Sequence, residues 1–257
     1  MNKIGFFFPA IFLILSFLNY ILFWDPYVMN FESILMGPNL IGIMGYDDFG
    51  RNIFFRLING FLVSFKIVFF ATIISFTLGI CVGIFSGFVG GWFDRIINSL
   101  MTFIQAFPGI LLIIAIAAFL ETNFWNILFA LTISTWISFA RIARSQTLAV
   151  KKSEYVQAAV SIGSNRFRVL HKHILPNVMT PILVELNFTI ANLIVAEAGL
   201  AFLGLGISSP FPSWGGMLRD SVDYLLVAPH YLISVASCMV LMILSFNLIG
   251  KGLNKFD

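Results

Sequence analysis

The chain has 257 residues, of which 59% are hydrophobic and 11% charged, with a formal net charge of +3. A soluble domain carries about 25% charged residues, so there is too little charge here to cover a water-facing surface, and nothing in the composition points to a nucleic-acid partner. The apolar residues also gather in long runs, and a run of about 18 or more reads as a membrane-spanning helix because only a helix satisfies its own backbone in lipid.

Six spans are predicted, at Ile4–Trp24, Phe61–Val89, Ser99–Leu120, Phe124–Phe139, Val178–Leu205 and Tyr231–Ile249. No small-residue cleavage site follows the first run, so it is expected to be a retained span rather than a removed signal. The segment "DDFGRNIFFRLINGF" sets Ile53, Phe54, Leu57, Ile58 and Phe61 on one helical face, with Asp47 or Asp48 as a cap. It is expected to form a short interfacial helix before span two. This divides the chain into residues 1–60, with the first span, the outer loop and that helix, and residues 61–257, with the other five spans.

Span two carries Gly79, Gly83, Gly87 and Gly91 at every fourth position, a ladder that lets helices approach closely in lipid and is read as packing within the bundle. Lys66 can snorkel. Cys81 and Cys238 lie inside apolar runs and are read as small hydrophobes. In span five, Glu185 and Glu197 are about 120° apart around a helix and about 18 Å along it. They are either an ion-coupling pair or buried groups bonded to neighbouring helices. The second is favoured, because nothing supplies a relay between them.

Between spans four and five lie Arg141, Arg144, Lys151, Lys152, Arg166, Arg168 and Lys172 against Glu154 alone, and the tail adds Lys251 and Lys255 against Asp257. An excess of Lys and Arg marks the cytoplasmic side, so this loop and both termini are expected there. Within the loop, Ser153 is a candidate N-cap, with Glu154 favourable in the first turn. Ala158, Ala159 and Ile162 share a small close-fitting face. Gly163 ends the helix or lets another backbone come near. Phe167, Leu170 and Ile174 recur at helical spacing until Pro176, which is expected to terminate the second helix before span five. A loop that only fixed topology would need lysines and arginines alone. Two alanines, a glycine and a capped break favour a rigid knob that docks into a partner.

No chemistry-bearing motif accompanies it. The tail's "GKGLNK" lacks the spacing of a phosphate-binding loop, and Gly204 and Gly206 in "FLGLGISSP" have no phosphate-cradling continuation. His171 and His173, two apart, lie on different helix faces and cannot share a metal as an i, i+4 pair could. The chain is read as neither binding a nucleotide nor breaking a bond, with no cofactor and no metal.

The loop resembles the EAA segment of binding-protein-dependent ABC importer permeases, whose pattern is E-A-A, three residues, G, nine residues, then I-x-L-P. Here Gln157 replaces the Glu of "QAA", Gly163 follows, and "HILP" puts His173 at the first hydrophobic position, as in the peptide branch. "GYDDFGRNIFFRLING" is similar to that branch's segment before span two, with Tyr46 for Thr and Asn52 for Asp. "AFPGILL" is similar to its third-span phrase, and "EAGLAFLGLGISSPFPSWGGML" to a later stretch, with Ser209 for Pro. The resemblance covers most of Gly45–Leu218 and is to the C-type permease of dipeptide, oligopeptide and nickel importers.

It implies an all-α integral membrane protein of the bacterial inner membrane, with six transmembrane helices in the type I ABC importer permease fold and a cytoplasmic coupling helix within about residues 141–177. It also implies a sister permease subunit, two ATP-binding cassette ATPase subunits and an extracytoplasmic solute-binding protein as partners, with lipid around them. Glu154, Gln157, Ala158, Ala159, Gly163 and Pro176 are then the ATPase-docking residues. Glu185, Glu197, Gly204 and Gly206 have structural or gating roles. The expected function is half of a pore for di- or oligopeptides. A nickel or metal-chelate importer is the alternative, and a proton-coupled transporter using Glu185 and Glu197 a more remote one, which would need inverted repeats and broken helices not found here.

Overall fold

The computed structural model describes residues 3–22, 24–207 and 210–253, and every regular element in them is helical. Ser209, Lys255 and Asp257, used above, lie outside the described residues. Helix α1 (Lys3–Leu22) leads into a long segment with one 3-10 turn at Phe31–Ser33, then into α2 (Ile53–Val89). After α2 come α3 (Gly91–Gln105), α4 (Gly109–Phe119), α5 (Phe124–Lys151), α6 (Glu154–Ser161), α7 (Arg166–Val169), α8 (Leu175–Phe202), α9 (Trp214–Val222) and α10 (Pro229–Leu253). Among the described residues five helices are long and apolar enough to cross a membrane, or six if the bent pair α3–α4 is one span.

The centre of the bundle is the contact between α2 and α5, which follows from the glycine ladder. A Cβ on Gly79 would meet the Trp136 carbonyl oxygen and Phe139 Cβ at 2.5 Å, one on Gly83 would strike the Ala140 carbonyl, and one on Gly87 would come within 3.0 Å of Arg144 and Thr147. These glycines hold two backbones in direct contact, as small residues do between membrane helices. The fourth rung departs from the pattern. Gly91 has nothing within 4 Å and, with Gly90, adopts a positive φ (64° and 73°) that breaks the chain between α2 and α3.

Several predicted boundaries move, each for a physical reason. The segment read as an interfacial helix is instead the first turns of α2, a continuous helix of 37 residues. Ile53, Leu57, Ile58 and Phe61 are all buried, and Asn52 caps the helix in place of Asp47 or Asp48, accepting from the Phe54 N–H. The span predicted at Ser99–Leu120 is two helices bent by 82°. The break falls at Pro108, which has no N–H to donate and disfavours helical backbone at Phe107. Helix α5 runs past Phe139 to Lys151, because helix does not stop where hydropathy falls.

Pro176 does not terminate a helix. Residues Leu170–Ile174 form a π turn whose last bond runs from the Leu175 N–H to the Leu170 carbonyl, and Pro176 enters the first turn of α8. A widened turn accommodates a residue that cannot donate. The second helix of the loop and span five are therefore continuous.

Two main apolar clusters fill the bundle. One, around Phe12, Phe61, Trp214 and Tyr231, lies where α1, α2, α8, α9 and α10 meet. The other, around Ile84, Phe139, Val156, Ile174 and Val178, joins α2, α5, α6 and α8 at the basic end. Gly5 packs on Ser245 and Ile249, so the first and last helices lie side by side.

The ladder makes a specific expectation. Gly83→Leu should lower thermal stability of the purified protein by at least about 1–3 kcal/mol, the usual range for overpacking a fitted contact. Gly90→Ala, which has room for a Cβ but a backbone (φ 73°, ψ −157°) that L residues rarely adopt, should cost about 1–3 kcal/mol through strain alone.

Candidate functional site

Helix α6 projects from the basic end. Val156 is its anchor, 2% exposed and set in the basic-end cluster. The side away from Val156 is open, with Ala158 exposed and Ile162 86% exposed, while Ala159 is half-buried and Val160, one turn on from Val156, is 56% exposed. Glu154 is exposed in the first turn, and the Gln157 amide donates to the Lys152 carbonyl at 3.0 Å. Ser153 has the extended backbone of an N-cap, but its hydroxyl donates to Val150 O at 2.6 Å rather than capping α6.

Gly163 closes the helix with φ 87°. Its N–H bonds to Val160 O at 2.9 Å and the Ser164 N–H bonds to Ala159 O at 3.0 Å, the paired bonds of a glycine C-cap. The space around Gly163 is empty, so the backbone turn, not a close approach within this chain, accounts for the glycine. Pro176 is exposed at the start of α8. His171 and His173 sit in the π turn against Phe167 and Tyr155, ring centroids 5.5 and 5.8 Å apart.

Behind the knob is a lock that sequence spacing gave no reason to suspect. Arg144 on α5 grips Asp94 on α3 with two bonds of 2.6 and 2.7 Å, and the Ser86 hydroxyl of α2 donates to the same carboxylate at 2.6 Å. Lys151 Nζ donates to Phe88 O at 2.7 Å. Three helices are thus fastened just where α5 passes into α6. Charge-assisted, two-point bonds of this kind are about twice as strong as neutral ones.

Deeper in the bundle, α3, α4, α5 and α8 enclose a cleft of about 700 Å³. Ser134, Thr135 and Ser138 of α5 face Glu185, Thr189 and Asn192 of α8 across it, with Gln105 and Phe107 from the α3–α4 break at its edge. Glu185 is half-buried and accepts only a long bond, 3.5 Å, from Thr189. Polar residues at helical spacing on two apolar helices would have marked this wall, had they been compared between spans.

The other named residues lie elsewhere. Glu197 is 2% exposed, with Ser64 of α2 as its hydrogen-bonding neighbour, and Ser64 also accepts from the Trp214 N–H. It lines no part of the cleft with Glu185. Gly204 and Gly206 shape a turn at the opposite end from the knob. A Cβ on the first, at φ 82°, would press on the Arg219 guanidinium, and one on the second would press on Ala201.

The same end holds a buried ion network. Asp47 accepts from Arg51 at 2.7 Å and pairs with Arg56 at 3.2 Å. Burial holds the Asp48 carboxyl above the usual carboxylate range, with Asp47 adding to it, and burial followed by Asp48 does the same to Asp220. Lys66 lies 5.7 Å from the Phe124 ring centre.

Apolar spanning helices around a polar-walled cleft, with a fastened knob at one basic end, make a membrane permease subunit. Residues 79–256 match the family described as binding-protein-dependent transport system inner membrane component, and the chain belongs to that family. A glutathione transport system permease protein GsiD from Pectobacterium atrosepticum is 35% identical over 241 residues, which is 91% of this chain and 80% of that protein. A dipeptide transport system permease protein DppC from Alkalihalophilus pseudofirmus is 37% identical over 224 residues, 87% of this chain and 74% of the relative.

Among solved structures, the methionine ABC transporter MetNI in inward-facing conformations has the same fold, with TM-score 0.64 at 15% identity over 78% of this chain and 95% of that one. An amino acid ABC transporter is also similar, with TM-score 0.53 at 20% identity over 78% and 92%. The chain is thus an ABC importer permease of the inner membrane, pore-forming rather than catalytic. ATP is hydrolysed by separate ATPase subunits, and a substrate-binding protein completes the system. Membership of an ATP-driven family sets aside the proton-coupled alternative.

Removing either half of the lock should cost about 1.5–3 kcal/mol, the range for hydrogen bonds to charged groups. Asp94→Asn and Arg144→Gln are expected to lower thermal stability separately, and the double variant to lose less than their sum. Additive losses in that cycle would mean the two side chains act independently.

Proposed function

We propose that this chain forms half of a peptide-conducting pore, that a sister permease supplies the other half, and that α6 is the part on which an ATPase subunit acts from the cytoplasm. The observation that carries the reading is the open face of α6 at Ala158, Ala159 and Ile162, joined to the bundle through a buried Val156. A helix that only ended a loop would have no reason to leave Ile162 86% exposed to water. Glu154, Gln157 and the turn at Gly163 frame that face, and Pro176 begins the helix that leads from it into the membrane.

The short links that join the knob to α5 on one side and to α8 on the other support a mechanical role. Force applied to α6 acts on two of the helices that line the cleft. ATP-driven closure of the motor pair would then select between two arrangements of the bundle, by binding one more tightly than the other. The relatives are glutathione and dipeptide permeases, which favours a small peptide over a metal chelate as the solute. Glu197, Gly204 and Gly206 belong to the packed outer end and hold its shape.

Two measurements test this. Gly163→Trp would confound docking with backbone strain, so Ala158→Trp and Ala159→Trp are the cleaner variants. In the assembled transporter they should abolish uptake and solute-stimulated ATP hydrolysis, while the chain still inserts at normal levels. Normal uptake by both would remove α6 from the coupling path. For sidedness, Ile162→Cys should react with a membrane-impermeant maleimide in inside-out vesicles and not in intact cells, and the reverse pattern would invert the orientation.

A further inference from the structure

The cleft holds one charge. Of the side chains that wall it, only Glu185 is ionisable, and no lysine, arginine or histidine pairs with it among the described residues. Among the described residues its one hydrogen bond is long, 3.5 Å from Thr189. The other carboxylates of the packed interior are placed differently: Glu197 is closed off from any cleft beside Ser64. Asp94 has Arg144 and Ser86, and Asp47 has Arg51 and Arg56. A carboxylate at membrane depth is costly unless it meets a partner, and among the described residues Glu185 is the carboxylate that faces the open cleft with no cation beside it.

The surroundings say what kind of cation would fit. Ser134 and Ser138 of α5, Asn192 of α8 and Gln105 beside the α3–α4 break line the cleft, with no partner for their side chains among the described residues. They offer donors and acceptors suited to an amide backbone. Apolar Phe107, Ile113 and Leu193 complete the wall. The space, about 700 Å³, is in the range of small-ligand sites. A bare metal ion would want several oxygen or nitrogen ligands at short range; one carboxylate among amides and hydroxyls suits instead a primary ammonium on a small amide-bearing molecule.

We infer that Glu185 is the station for the solute's ammonium group, so that the cleft selects small peptides with a free amino end. The assignment rests on the peptide reading above and adds a specificity residue to it. When the solute enters, its ammonium exchanges water for the Glu185 carboxylate, and the amides and hydroxyls take up its peptide group. A solute without the ammonium leaves the carboxylate unpaired and gains nothing from it. Discrimination of this kind, against an analogue lacking a group the site is built to bond, is strong because the site's own polar group is stranded.

The test uses the complete transporter in proteoliposomes, with ATP and binding protein. Two solutes are each supplied above saturation of the binding protein: dialanine, and its analogue with a hydroxyl in place of the amine, lactoyl-alanine. The readout is the ratio of their uptake rates in wild type, Glu185→Gln and Glu185→Asp. Glu185→Gln should lower the ratio about tenfold, on the order of one charge-assisted hydrogen bond lost, and Glu185→Asp should keep most of it. An unchanged ratio in Glu185→Gln, or equal slowing of both solutes, makes Glu185 a packing residue and overturns the assignment alone. A wild-type transporter that moves neither solute overturns the peptide reading, and the assignment with it.

Discussion

Everything else in the bundle is hung on the contact in which three glycines of α2 lie directly against the backbone of α5. In lipid there is no hydrophobic force to bring two helices together, so close van der Waals packing must do so. Because the two backbones touch near Gly79 and Gly83, the rotation of α5 is fixed. That rotation points Ser134, Thr135 and Ser138 toward α8 and carries Arg144 to Asp94. The cleft and the knob are two outcomes of the same contact, one in the middle of α5 and one at its end.

Helix α3 gives this arrangement its rigidity. It departs from α2 through two glycines in left-handed backbone and is then pinned to α5 by the Asp94–Arg144 pair. The side chains of that pair are 15% and 25% exposed, so water screens them only in part. At its far end the chain bends by 82° into α4 and leaves Gln105 and Phe107 at the cleft. The knob, the ion pair and the cleft edge are therefore links in one short chain of solid contacts.

Much of this was legible in the residues. Spans and knob are dictated by rules that act locally: a helix must close its own hydrogen bonds in lipid, and a glycine permits the left-handed turn at residue 163. What could not be read depended on partners distant in sequence. Arg51 and Arg56 suggest a wet interfacial segment, yet Asp47 pairs with both and Asp48 also with Arg51, which lets α2 begin buried. Arg141 and Arg144 make α5 look finished at Phe139, but Asp94, 50 residues away from Arg144, gives one of those charges a place inside the packing. Pro176 looks like a stop until the π turn before it is seen. The cleft draws on three separate stretches of chain, and only Glu185 and the "AFPGILL" segment stood out within them.

The glycine face of α2 is also a matter of timing. Its counterpart around Phe139 lies about 60 residues further along, and synthesis at about 5–20 residues per second places it roughly 3–12 s behind. During that interval α2 sits in the bilayer with a notch down one side, which lipid tails fill poorly, while α3 and α4 are still being threaded in. The newborn protein is an incomplete fold waiting for its fitting piece, and whatever stalls elongation between the two helices leaves that groove open to the wrong neighbour.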